Sequence, residues 1–147
     1  MFLLRTGVVL AITLLTGCAN EPPRFAGLVE PPPEKAVVYI YRVDKYPNTP
    51  YRLAPVIRAN RNEVAPLLKH QYLRVVLEPG PAELSIFARE LTNESFWYTR
   101  SPVVMKLTLT PGSTRFVELA IDMVYFSFRE VPAEQAAEEL PKLYPAN

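Results

Sequence analysis

QYLRVVLEPGPAELSIFAR, residues 71–89, sets two alternating runs on either side of Glu78-Pro79-Gly80-Pro81. Leu73, Val75 and Leu77 recur at every second position, as do Leu84, Ile86 and Ala88. That is the period of a strand buried on one face. Between the runs, proline and glycine occupy the second and third places of a type II turn, which needs positive φ where the glycine sits. The stretch predicts a hairpin that brings all six residues onto one face.

Working outward, similar β-branched and aromatic runs recur at 36–43, 55–59, 63–67, 103–109, 114–121 and 124–131, each bounded by Pro, Gly or Asn. Residues 36–147 are the size of one small domain. The fold class this predicts is all-β, an antiparallel β-sandwich of about seven or eight strands. A two-residue loop at Asn60-Arg61 would place Arg58 opposite Glu63, Ile57 opposite Val64 and Pro55 opposite Pro66. Arg61 would then take a left-handed conformation that side chains resist. A third turn, Thr110-Pro111-Gly112-Ser113, matches Leu107 with Val117 and Lys106 with Glu118 if a three-residue loop and a bulge are allowed. In the tail, Ala133, Ala136, Ala137 and Leu140 follow Pro132 at helical spacing, which predicts a short C-terminal helix over a sheet end or edge.

Residues 1–17 carry one early charge, Arg5, then an apolar stretch from Gly7 to Leu15 and the small residues Thr16 and Gly17. This is the layout of a removable signal peptide, and about nine apolar residues fall short of the roughly 20 a transmembrane helix needs. Leu15-Thr16-Gly17-Cys18 resembles the bacterial lipobox, whose cysteine receives acyl chains such as palmitate. Cys18 is the only cysteine of the chain. The alternative is an ordinary signal peptide with an incidental cysteine. Two or more acyl chains make anchoring stable. Ala19, where Asp would favour inner-membrane retention, points to the outer membrane; the periplasmic face is the expected side, although the residues themselves leave periplasm and exterior both open. Residues 18–35 are proline-rich and read as a tether that could span roughly 50 Å when stretched.

With Arg5 gone, the 16 basic side chains become 15, against 15 acidic ones. This balance suggests neither nucleic acid nor an anionic surface as a partner.

Val38-Tyr39-Ile40-Tyr41-Arg42, the turn 60–67, Gln71-Tyr72-Leu73 and Leu77-Glu78-Pro79-Gly80 occur in an order that resembles a family of small bacterial lipoproteins of unknown function. The resemblance spans Ala36 to about Ile121 and implies a compact β-sandwich with no established activity. Arg61 stands where that family has glycine.

Catalytic signatures are sparse. His70 is the only histidine, and it falls on a loop between strands. No G-x-S-x-G elbow, calcium loop or phosphate loop occurs. No metal or cofactor is implied. Paired carboxylates for glycoside cleavage depend on separation in space, which sequence does not give. Arg42 interrupts the otherwise apolar strand VVYIYRV (37–43) and would either bind an anionic ligand or pair with a carboxylate at a sheet rim. Asn93 to Ser101 holds Phe96, Trp97 and Tyr98. These rings would either complete the core or contact a protein or glycan partner. The expected function is that of an outer-membrane lipoprotein, a non-enzymatic binding or scaffolding accessory of the cell envelope. The alternatives are a cell-wall hydrolase or its inhibitor, and a secretion-system assembly lipoprotein.

Overall fold

The strand β1 (Ala36–Tyr41) is buried along its whole length, on both faces. In this computed structural model, which describes residues 23–43, 54–87, 103–122 and 125–146, that strand is the middle of a five-stranded sheet. The remaining strands are β2 (Val56–Ala59), β3 (Asn62–Pro66), β4 (Gln71–Leu77), β5 (Gly80–Phe87), β6 (Val103–Leu109), β7 (Thr114–Asp122), β8 (Tyr125–Glu130) and β9 (Tyr144–Pro145), with helix α1 at Ala133–Glu139. One sheet has the order β8-β7-β1-β4-β9 and the other β3-β2-β5-β6. The two pack face to face as an all-β sandwich. Ala36, Val38 and Ile40 of β1 meet Ile57, Leu84 and Leu107 of the opposite sheet in the main core.

The Pro-Gly turn does not make a hairpin. β4 pairs with β1 and β9, and β5 pairs with β2 and β6, so Glu78 to Gly80 carries the chain from one sheet to the other. The same correction holds at Thr110-Pro111-Gly112-Ser113. There Lys106 lies opposite Glu83 and Leu107 opposite Ala82, while Val117 and Glu118 lie beside Ile40 and Tyr41 in a parallel pair. The expected backbone is present, with Gly80 at φ 111° and Gly112 at φ 69°. Turn chemistry specifies how the chain reverses but leaves open which strand it then pairs with. Alternating apolar residues are satisfied equally by lying side by side or by facing each other across a core. Leu73 and Val75 do share the core with Leu84 and Ile86, from opposite sheets; Ala88 lies outside the described residues.

The Asn60-Arg61 turn is a true two-residue hairpin. Arg58 is opposite Glu63, with their charged groups 3.8 Å apart. Beyond that pair the register shifts, and Ile57 meets Ala65 while Val56 meets Pro66. Val64 is the extra residue of this bulge, which is why it does not face Ile57 and why Pro55 does not face Pro66.

The outer face of the five-stranded sheet carries a second apolar layer. Val37, Tyr39 and Tyr41 of β1 and Phe116 of β7 are covered by Ala136 of α1 and by Leu140 and Leu143 after it. The C-terminal helix therefore lies on a sheet face and not on an end or edge. Its few apolar residues suffice because the following segment, ending in β9 alongside β4, adds the rest.

Asn60 (φ 49°) and Arg61 (φ 68°) both take left-handed backbone. That conformation costs a side-chain-bearing residue about 1–2 kcal/mol, partly offset by the extra freedom glycine has when unfolded. Arg61→Gly is expected to stabilise the domain by about 0.5–1 kcal/mol. A thermal melt checks this, and a lower midpoint would assign Arg61 a structural partner.

Candidate functional site

The strands run between two distinct ends. One end holds the Pro-Gly turns and the start of β1. At the other, β1 finishes, β4 begins and β9 docks, and a cleft of about 640 Å³ opens. This is within the range of small-ligand sites.

The cleft is built from segments far apart in sequence. Arg24, Lys69, His70, Glu139, Lys142 and Tyr144 line it. His70 holds the segments together through its backbone. It has φ 58°, donates its N–H to the Arg42 carbonyl at 3.1 Å and accepts the Tyr144 N–H at 3.0 Å. Gln71 steadies the same turn by accepting the Leu68 N–H on its side-chain oxygen at 3.0 Å. The Arg24 guanidinium sits 5.3 Å from the centre of the Tyr144 ring, a distance suited to cation–π attraction.

Residues 23–35 are attached to the domain. The Phe25 N–H donates to the Leu143 carbonyl at 3.1 Å, and the Val29 N–H donates to the Tyr39 hydroxyl at 3.1 Å. The Phe25 ring stands edge-on to both Tyr39 and Tyr72, with centroids 5.9 and 5.2 Å away. The segment has no helix or strand, yet it is a strap laid over the outer face of the five-stranded sheet.

One wall of the cleft is tied to a buried polar row. Tyr41, Glu118 and Arg129 occupy neighbouring positions across three strands. The Glu118 carboxylate is buried and accepts from the Arg129 guanidinium. The Tyr41 hydroxyl donates to Glu139 at 2.6 Å, and Gln135 donates to the same carboxylate. Burial of the Tyr41 phenol, then its bond to Glu139, then the nearby Glu139 and Glu118 charges hold its proton well above the ordinary value of 10.0, with the Arg129 charge opposing. The Arg129 guanidinium is held protonated by its bond to Glu118.

Of the residues expected from sequence, Arg42 lies just past β1 and is 0% exposed, with its guanidinium donating to the Leu67 carbonyl at 3.4 Å. This places its side chain inside the fold, and it is not among the residues that line the cleft. His70 is where a loop was expected, at the cleft. Cys18 and Phe96, Trp97 and Tyr98 lie outside the described residues. The strand ends flanking 88–102, Phe87 and Val103, are at the cleft end, since β5 and β6 both run to or from it. Among the described lining residues there is no Ser, Thr or Cys for His70 to activate. Among the described residues no group of three His, Cys, Asp or Glu side chains is placed to hold a metal ion. The basic residues Arg24, Lys69 and Lys142 escaped sequence reasoning because three separate segments supply them.

Comparisons with protein-family models and with curated proteins find no match for this chain.

Tyr41 gives the site a pH signature. A phenol whose folded pKa is raised contributes its full stability below the unfolded value of 10.0 and loses it progressively above, at up to about 1.4 kcal/mol per pH unit. Tyr41→Phe is expected to flatten the decline in unfolding free energy above about pH 10. It should also lower stability at neutral pH by about 1–2 kcal/mol, because the half-buried Glu139 carboxylate loses a donor. Urea unfolding across the alkaline range measures both; an unchanged alkaline slope would contradict the Tyr41–Glu139 bond.

Proposed function

We propose that this protein is an outer-membrane lipoprotein whose β-sandwich acts as a non-enzymatic binding or scaffolding accessory of the cell envelope, held through acyl chains on Cys18. The observation that carries this reading is the single cysteine following Leu15-Thr16-Gly17 at the end of a short apolar run. A lone thiol there has no disulfide partner within the chain and is placed for thioether linkage to diacylglycerol before signal cleavage, after which the new amino group is acylated. Ala19 next to it favours the outer membrane, and we take the periplasmic face of that membrane as the side on which the domain lies. Among the described residues no helix is long and apolar enough to cross a membrane. The resemblance to small bacterial lipoproteins supports the same reading. A protein or glycan of the envelope is the partner class this reading implies.

The test is direct. Cells expressing the wild-type chain should incorporate labelled palmitate into it and yield it in the outer-membrane fraction, whereas Cys18→Ser should lose the label and accumulate as precursor or away from that membrane. Outer-membrane fractionation of the variant, together with no label in the wild type, would overturn the reading.

A further inference from the structure

The even overall charge conceals an uneven distribution. Among the described residues that line the cleft are three cations, Arg24, Lys69 and Lys142, and one carboxylate, Glu139. Arg24 comes from the strap, Lys69 from the turn before β4, and Lys142 from the segment between α1 and β9. The fold thus gathers cations from separate parts of the chain among the described residues of the cleft.

Position gives this end its meaning. Phe25 is fastened to Leu143, Tyr39 and Tyr72, and Arg24 before it is only six positions from Cys18 in the sequence. Six extended residues span about 20 Å at most. A tether loose to residue 35 would have spanned roughly 50 Å and left the domain free to turn. With the strap fastened at Phe25, a lipid on Cys18 would lie within about 20 Å of the cleft end, nearer to it than to the Pro-Gly turns.

We infer that the basic cleft is a membrane-docking surface that binds the anionic headgroups of the bilayer in which Cys18 is anchored. The orientation rests on the lipid reading of Cys18. The occupant is an anionic phospholipid surface because the charged side chains described in the cleft are mostly cationic and the chain toward the anchor is short. Headgroup contact adds to the acyl anchor and holds the domain in one orientation. Basic residues near an anionic surface each strengthen attachment by about fivefold, within a screening length of about 10 Å.

The experiment uses chain 19–147, which keeps every described contact because they all fall within residues 23–146. It carries no cysteine, so its result is independent of acylation and separable from palmitate labelling. Co-flotation with vesicles of phosphatidylglycerol in phosphatidylcholine should capture the protein, added salt should release it, and pure phosphatidylcholine should not retain it. Arg24→Gln with Lys142→Gln should lower the partition coefficient on the order of 20-fold. Lys106→Gln, on the exposed face of β6, should change it less than about twofold. Melts of each variant show that the fold is kept; should the double variant fail to fold, Lys142→Gln alone should give about a fivefold loss. Equal retention on both vesicle types, or equal loss from Lys106→Gln and the cleft variant, would overturn the inference. Release by glycerol phosphate at matched ionic strength would also overturn it, by making the cleft a site for small soluble anions.

Discussion

Burial of β1 on both faces is the constraint from which most of this architecture follows. Its inward residues Ala36, Val38 and Ile40 belong to the sandwich core, and its outward residues Val37, Tyr39 and Tyr41 are equally hidden. Burying a large apolar side chain contributes roughly 1.5–3 kcal/mol, so the outer row is worth covering. A two-layer sandwich leaves that row in water. The cover comes from both flanks of the β-domain, with α1 and the residues after it on one side and the strap on the other. β1 also pairs in parallel with β7, an arrangement usually buried on both faces.

The cover is not purely apolar. Glu118 is buried beneath it beside Arg129, and Tyr41 reaches Glu139 on the helix. Burying a carboxylate is costly, and an ion pair of this kind adds little net stability; removing one partner is what destabilises strongly. The Tyr41–Glu139 bond acts instead on geometry. It fixes the last turn of α1 against β1, and Glu139 is also a wall of the cleft. The shape of the cleft therefore depends on the same contacts that close the outer face of the sheet.

The strands were legible in the sequence because a period of two survives whatever a strand pairs with. The run 71–77 and the run 103–109 match β4 and β6 at both bounds. The Asn60-Arg61 hairpin was also legible, since opposite charges and a two-residue loop fix a register locally; its bulge at Val64 was not. Both Pro-Gly turns were misread as hairpins because a sandwich needs sheet-to-sheet connections made from the same turn residues. The uninterrupted Ala-Val-Val-Tyr-Ile-Tyr of β1 carried a sign of two-sided burial, but nothing in it names the covering segment. The cleft was hidden more deeply. Arg24, Lys69 and Lys142 are ordinary charged residues until β9 docks beside β4 and brings the three segments together. Phe25, amid prolines, looked like part of a tether because a lone aromatic has no periodicity to reveal a packing partner.

Attachment of the strap links the fold to the proposed orientation of the domain, and residue-resolved native-state hydrogen exchange measures it most directly. The Phe25 and Val29 amides donate to Leu143 and Tyr39, and the Tyr144 amide donates to His70. Amides that open only with a cooperative unit share its free energy of opening. The account predicts that Phe25 and Val29 are protected and exchange together with Tyr144. Exchange of Phe25 and Val29 at the rate of an unstructured peptide, while Tyr144 and β1 remain protected, would contradict it: the segment would then be a loose tether and the cleft would have no fixed direction.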